Sequence, residues 1–191
     1  MGQIWVSSDF HFNHNREFIY KARGFNSVEE MNKTIVQNWN QRVRADEVGY
    51  ILGDLMLGGA GTQAYESGLN LIKHLNGELH IILGNHDTLA REQLYRTLPN
   101  VVEVTLAARF SYDGYHFYLS HFPTMTSNLE KESLRQCTIG LYGHTHQTTN
   151  FFNDIPYMYH CGVDSHKCAP VSIEEIIGEC EAKVKECKAQ L

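Results

Sequence analysis

Five short polar clusters carry the residues that could do chemistry: Asp9-Phe10-His11, Gly53-Asp54, Gly84-Asn85-His86-Asp87, Ser120-His121 and Gly143-His144-Thr145-His146. Singly they say little. An Asp-x-His pair on extended chain puts both side chains on one face, but such pairs more often belong to surface turns. Gly-Asp is more often a turn than a ligand. Gly-Asn-His-Asp is rarer, because three polar side chains follow an apolar run with no helix cap to account for all of them. His-x-His lets two imidazoles on extended chain face neighbouring ions. Together, Asp9, His11, Asp54, Asn85, His121, His144 and His146 offer seven oxygen and nitrogen donors and no sulfur. That set suits first-row divalent ions such as Mn, Fe, Zn, Co or Ni. Seven donors serve two ions that share a bridging carboxylate, with water completing the coordination. Histidine, the commonest metal ligand, occurs 11 times in 191 residues.

Two such ions, about 3.5–4 Å apart, hold two oxygens of a phosphate and lower the pKa of a bridging water. The resulting hydroxide attacks phosphorus in line, and the ions and nearby donors absorb the equatorial charge. The leaving oxygen needs a proton. His86 is the candidate acid, and the adjacent Asp87 favours its charged form. His14, three residues past His11, is a candidate substrate contact, as is Asn85. Arg23 is another, because a guanidinium matches phosphate bidentately. His74, His80 and His116 lie within helix or strand patterns and read as structural. His160, Cys161, His166 and Cys168 fit no common zinc framework.

The elements that must position these clusters are legible as short apolar runs. Ile4-Trp5-Val6, Val48 to Leu52, Leu79 to Leu83 and Ile139 to Tyr142 read as buried strands, each ending at one of the clusters. Helices are expected at about Val28 to Val43, Gln63 to Leu75 and Leu89 to Leu98. Strands joined by helices indicate an α/β layered fold. Ligand sites in such sheets lie off the carboxyl ends of the strands, so all five clusters are expected at one sheet edge. Val101 to Thr105, Ala107 to Tyr112 and Tyr115 to Ser120 add antiparallel strands, with Asp113-Gly114 as a hairpin turn. Phe151-Phe152 and Tyr157 to Tyr159 suggest a further hairpin. Ile173, Ile176, Ile177, Cys180, Val184 and Cys187 form one helical stripe, and Ser172 with Glu175 forms a capping box at its start.

The length fits one domain over residues 1–191. The formal charge is −6 with no basic block, which argues against a long nucleic acid as partner but not against a small phosphorylated substrate, since a metal inverts the local charge. No apolar run reaches the roughly 18 residues of a membrane span. The opening Met1-Gly2-Gln3-Ile4-Trp5-Val6 lacks the basic region of a signal peptide. Five cysteines without framework spacing read as reduced thiols in a cytoplasmic protein. Selectivity would come from the loops Phe12 to Asn26, Met56 to Thr62 and Met125 to Gln136.

The order Asp-x-His, Gly-Asp, Gly-Asn-His-Asp, His, Gly-His-Thr-His resembles the calcineurin-like metallophosphoesterase superfamily. Ser8-Asp9-Phe10-His11-Phe12-Asn13-His14, Gly162-Val163-Asp164 and Pro170-Val171-Ser172 are similar to the small bacterial and phage members. The resemblance implies a four-layer α/β/β/α sandwich of mixed sheets with a dimetal site at the strand ends. It implies that Asp9, His11 and His146 hold one ion, that Asn85, His121 and His144 hold the other, and that Asp54 bridges them. His86 would stand near the leaving group, oriented by Asp87. Many relatives carry an acidic residue soon after Gly-Asp, where this chain has Leu55-Met56-Leu57-Gly58-Gly59. The implied activity is hydrolysis of phosphomonoesters or phosphodiesters, on a phosphorylated small molecule or short nucleotide. The alternatives are a pyrophosphatase acting on a nucleotide-like anhydride and a non-catalytic metal-binding scaffold.

Overall fold

A computed structural model describes residues 2–57, 62–126 and 133–189. The first sheet is built from parallel strands β1 (Ile4–Ser7), β2 (Val48–Leu52), β3 (Glu78–Ile82) and β4 (Val101–Thr105). Between them run α1 (Glu17–Tyr20), α2 (Val28–Arg42), α3 (Thr62–Lys73) and α4 (Leu89–Tyr95). The second sheet contains β5 (Ala107–Tyr112), β6 (Tyr115–Ser120), β7 (Thr138–Tyr142) and β8 (Met158–His160), in that order. β5 and β6 form the expected hairpin, and Asp113 and Gly114 adopt φ of 45° and 77° at its turn. β6, β7 and β8 run parallel. β9 (Val171–Ser172) then returns antiparallel to β1 at the edge of the first sheet and leads into α5 (Ile173–Ala189).

Alternation along the strands divides the core between two faces. Trp5, Ile51 and Ile81 face α2, where Met31, Ile35 and Trp39 are buried. Their neighbours Val6, Leu52 and Ile82 face the second sheet, against Phe117, Leu119, Ile139 and Leu141. Ile173, Ile176 and Cys180 of α5 join this second cluster. The capping box at the start of α5 is formed: Glu175 N–H donates to Ser172 Oγ at 3.2 Å, and Ser172 N–H to Glu175 Oε2 at 2.8 Å. The result is two mixed sheets flanked by helices, as the resemblance implies. Cys161, Cys168, Cys180 and Cys187 are free thiols, and no helix of the described residues is long and apolar enough to cross a membrane.

Four expectations need correction. Val101–Thr105 is not an antiparallel strand of the hairpin region but pairs parallel with β3 in the first sheet. Phe151-Phe152 is not a hairpin strand: Phe151 makes one antiparallel bridge to Tyr159, and Phe152–Asp154 is a 3-10 turn. Left-handed Asn153 and Asp154, with φ of 47° and 61°, break the extension there. The five clusters also do not share one sheet edge. Three end β1, β2 and β3, whereas His121 follows β6 and Gly143 follows β7 in the second sheet. The cause is the β5–β6 hairpin, which starts a new sheet one residue after β4 instead of widening the first. α4 stops at Tyr95, short of Leu98. Of the loops expected to give selectivity, residues 58–61 and 127–132 lie outside the described residues.

Candidate metal centre

The clusters are tight turns, and their backbone shows it. Asp9, His11, Asp54, His144 and His146 all have positive φ, between 49° and 68°. Left-handed backbone is uncommon for residues with a Cβ and gathers at functional sites. The glycines ahead of them are explained by close approach. A Cβ on Gly84 would lie 2.2 Å from Asp54 Oδ1, and one on Gly143 would lie 2.3 Å from Asp9 Oδ2. Main-chain bonds tie the loops together: Asp9 N–H to Gly53 O at 3.0 Å, His11 N–H to Asp54 O at 2.9 Å, and Gly143 N–H to His121 O at 3.0 Å. Carboxylates add to this. Asp9 Oδ2 accepts from His144 N–H at 2.9 Å, and Asp54 Oδ1 from His86 N–H at 2.9 Å.

All seven candidate ligands meet at this junction of the two sheets. His11 Nε2 and His146 Nε2 are 3.2 Å apart, each 3.9 Å from Asp9 Oδ1. Asn85 Oδ1 lies 2.9 Å from His121 Nε2 and 2.8 Å from His144 Nδ1, and those two nitrogens are 3.2 Å apart. Asp54 Oδ2 stands between the groups, 3.8 Å from His11 Nε2 and 3.6 Å from His121 Nε2. Asp9, His11 and His146 bring one ligand atom each within 4.8 Å of one another, and so do Asp9, Asp54 and His121. Bonds of about 2.0–2.2 Å to a common ion separate neighbouring donors by roughly 3.0–3.5 Å. The histidine pairs already have that spacing. Asp9 Oδ1 is buried and has no hydrogen-bond partner among the described residues. An ionised carboxylate oxygen is costly to bury unpaired, so the donor set fits a divalent cation.

The ring orientations suit the same purpose. His121 Nδ1 bonds Leu52 O at 2.8 Å, and His146 Nδ1 bonds Asp164 Oδ2 at 2.9 Å. A hydrogen bond at one nitrogen fixes the tautomer and leaves the other free to ligate. Burial, reinforced by His146 and Arg23, pushes His11 down to about 2, and burial also lowers His144. Both therefore stay neutral, as ligands must. His146 is raised, chiefly by its bond to Asp164. Burial pushes Asp9 up, an effect that a bound cation reverses.

Arg23 and Asp87 are not placed as the sequence suggests. Arg23 is only 3% exposed and donates inward: Nε to Asp164 Oδ1 at 2.8 Å, Nη2 to Asp164 Oδ2 at 3.1 Å and Asp9 O at 2.9 Å, and Nη1 to Phe10 O at 3.1 Å. With its fork occupied it has no face for a phosphate. Asp87 does not orient the His86 ring. Its Oδ2 accepts from Asp54 N–H at 2.7 Å and Gly84 N–H at 2.9 Å, and its Oδ1 from Tyr95 O–H at 2.8 Å. Burial raises its pKa against those bonds.

The His86 side chain is 46% exposed, with Nε2 3.9 Å from Asp54 Oδ2. The His14 ring lies 5.4 Å from that of His11, and its Nδ1 is buried without a partner among the described residues. His74, His80 and His116 bond Asn70 O, Glu103 and Ser111, away from the centre. His160 Nδ1 bonds Ser165 Oγ and His166 Nε2 bonds His160 O. Sequence reasoning gave no role to Asp164 or Tyr95. Asp164 had a signal, its place in the Gly162-Val163-Asp164 turn; Tyr95 had none.

The profile of the calcineurin-like phosphoesterase superfamily domain matches residues 3–157. The chain belongs to that superfamily. An uncharacterized protein of Methanocaldococcus jannaschii is 32% identical over 183 residues, covering 93% of this chain and 90% of the relative. The Gene 66 protein of Mycobacterium phage D29 is 27% identical over 205 residues, covering 95% of this chain and 98% of its own. Among solved structures, a protein of unknown function from Aquifex aeolicus superposes with a TM-score of 0.69 at 20% identity, covering 93% of this chain and 99% of that one. In this member of the calcineurin-like superfamily, Leu55 and Met56 behind Asp54 are buried.

Proposed function

We propose that this protein is a two-metal phosphoesterase that hydrolyses phosphomonoester or phosphodiester bonds in a small phosphorylated molecule or short nucleotide. The observation that carries this is the position of Asp54, whose Oδ2 lies within 4 Å of a histidine nitrogen from each half of the centre. Asp9, His11 and His146 would hold one ion, Asn85, His121 and His144 would hold the other, and Asp54 would serve both. When bound, divalent ions of the Mn, Fe, Zn, Co or Ni type would supply neutralisation of phosphate charge and an activated water. His86, exposed beside Asp54, gives its proton to the departing oxygen. Asn85 and His14 border the space in which the phosphate lies. Asp87 braces the loops that carry Asp54 and His86.

The test is metal analysis together with a metal-supplemented screen of nitrophenyl phosphodiesters, phosphomonoesters, cyclic nucleotides, short oligonucleotides and nucleotide anhydrides. Turnover of esters with two ions per chain supports the reading. Turnover of anhydrides alone replaces it with a pyrophosphatase, and full metal binding with no turnover replaces it with a scaffold.

A further inference from the structure

One buried guanidinium bonds the turn that carries Asp9 and His11 and, through Asp164, is linked to His146. Arg23 Nη2 and Nη1 donate to the carbonyls of Asp9 and Phe10, at 2.9 and 3.1 Å, and so grip the left-handed turn that presents Asp9 and His11. Its Nε and Nη2 form a bidentate pair with Asp164, at 2.8 and 3.1 Å. Asp164 Oδ2 in turn bonds His146 Nδ1 at 2.9 Å. Arg23 and Asp164 are 3% and 13% exposed, so water competes little for these bonds. Among the described residues, no such buried ion pair holds the side chains of the other ion's ligands. His121 is fixed by a main-chain carbonyl, and the described bonds of Asn85 and His144 Nδ1 stay within the cluster.

We propose that Arg23 and Asp164 are positioning residues that select one ion site, the one formed by Asp9, His11 and His146, and leave the other unaffected. Asp164 holds the His146 imidazole in the Nδ1–H tautomer with Nε2 turned to the ion. Arg23 neutralises Asp164 and fixes the distance between His146 and the Asp9–His11 turn. A carboxylate behind a ligating histidine orients the ring and raises its basicity, and its loss costs about 10- to 100-fold in metal affinity. The inference rests on the two-metal reading of the centre, and it concerns the order in which the ions are lost.

The experiment is Mn²⁺ titration of the wild-type protein, Asp164→Asn, Arg23→Lys and His146→Ala, followed by calorimetry and electron paramagnetic resonance, with circular dichroism to show which proteins are folded. Asp164→Asn keeps the shape but removes the charge, and Arg23→Lys keeps the charge but removes the fork. Wild type is expected to bind two ions with a spin-coupled spectrum. Both brace variants should bind one ion with unchanged affinity and the other about 10- to 100-fold more weakly, giving at low Mn²⁺ the uncoupled spectrum of His146→Ala. Equal weakening at both sites, or no weakening at either, in a folded variant overturns the inference. A wild-type protein that binds no more than one ion instead overturns the two-metal reading. A measurement independent of the variants is the ¹⁵N spectrum of the Zn²⁺-loaded wild type. A proton on His146 Nδ1 is expected, and ligation through Nδ1 refutes the assignment.

Discussion

His146 and His121 both turn Nε2 to the middle of the centre, but one is held by a carboxylate and the other by a carbonyl. The hold on His121 comes from Leu52 O, the last residue of β2. It follows from strand register, since Leu52 pairs with Ile82 in the sheet and needs no side chain of its own. The hold on His146 comes from Asp164, which must be neutralised in turn. Burial pushes Asp164 up, yet the bonds from His146 and Arg23 outweigh burial and keep it below the usual carboxylate range. The half built on main chain should therefore tolerate side-chain changes around it but not changes to its turns. The half built on a buried ion pair depends on two side chains that lie 141 residues apart.

The strongest way to erase this difference is to remove what the halves share. Asp54→Ala takes away the carboxylate between them and frees His86 N–H from its acceptor. Both ions should be lost together, and turnover should fall about 10³-fold or more, because such ions supply several kcal/mol of transition-state stabilisation. Metal content and rates check this, and an active Asp54→Ala protein with two ions would falsify the shared role. His86→Ala should spare both halves. It should cost about 10²- to 10⁴-fold toward alkyl phosphoesters, whose leaving oxygen needs a proton, and much less toward nitrophenyl esters. Side-by-side rates and metal analysis decide; equal losses with reduced metal would make His86 a brace for Asn85.

Much of this arrangement is readable in the sequence. Apolar runs such as Val48 to Leu52 show their strands because one face is buried and the other is half-buried or buried, and Asp113-Gly114 shows its turn because the backbone requires positive φ. Two of the ligand clusters are readable for a different reason: a Cβ on Gly84 or Gly143 would strike a carboxylate. Some features depend on tertiary contacts that no local pattern encodes. α1 is a single turn whose N-cap residue, Arg16, makes no capping bond. The Arg23–Asp164 pair joins loops from opposite ends of the chain. Adjacency in sequence also misleads at His86-Asp87, because the turn sends one side chain to the surface and the other beneath the loop.

The main-chain half is predicted to fail at its turns. Gly84→Ala places a Cβ 2.2 Å from Asp54 Oδ1 and 2.8 Å from Asp54 N, against backbone and a ligand rather than a flexible chain end. Overpacking of this kind costs about 1–3 kcal/mol, and the displaced carboxylate should weaken both ions. Thermal unfolding and metal titration together check it. A Gly84→Ala protein of wild-type stability and metal affinity would mean that the turn relaxes freely.

The smallest effect is expected one layer further out, at Tyr95. This buried residue, near the end of α4, donates its O–H to Asp87 Oδ1 at 2.8 Å. Asp87 contacts no candidate ligand side chain; it accepts from the main-chain N–H groups of Asp54 and Gly84. Tyr95→Phe removes one donor from a buried carboxyl that keeps two others, at a cost of about 1–2 kcal/mol in stability. Because the two N–H bonds persist, Asp54 and Asn85 should stay in place, and Mn²⁺ affinity at both sites should change by less than about threefold, well under the 10- to 100-fold cost of losing a carboxylate that touches a ligand. Asp164→Asn and Tyr95→Phe then form a matched pair, each removing a buried side-chain brace. The first should shift metal affinity at one site and the second should shift only the unfolding temperature. If Tyr95→Phe loses an ion as readily as Asp164→Asn does, side-chain braces support both halves alike, and the contrast between carboxylate and main chain is wrong.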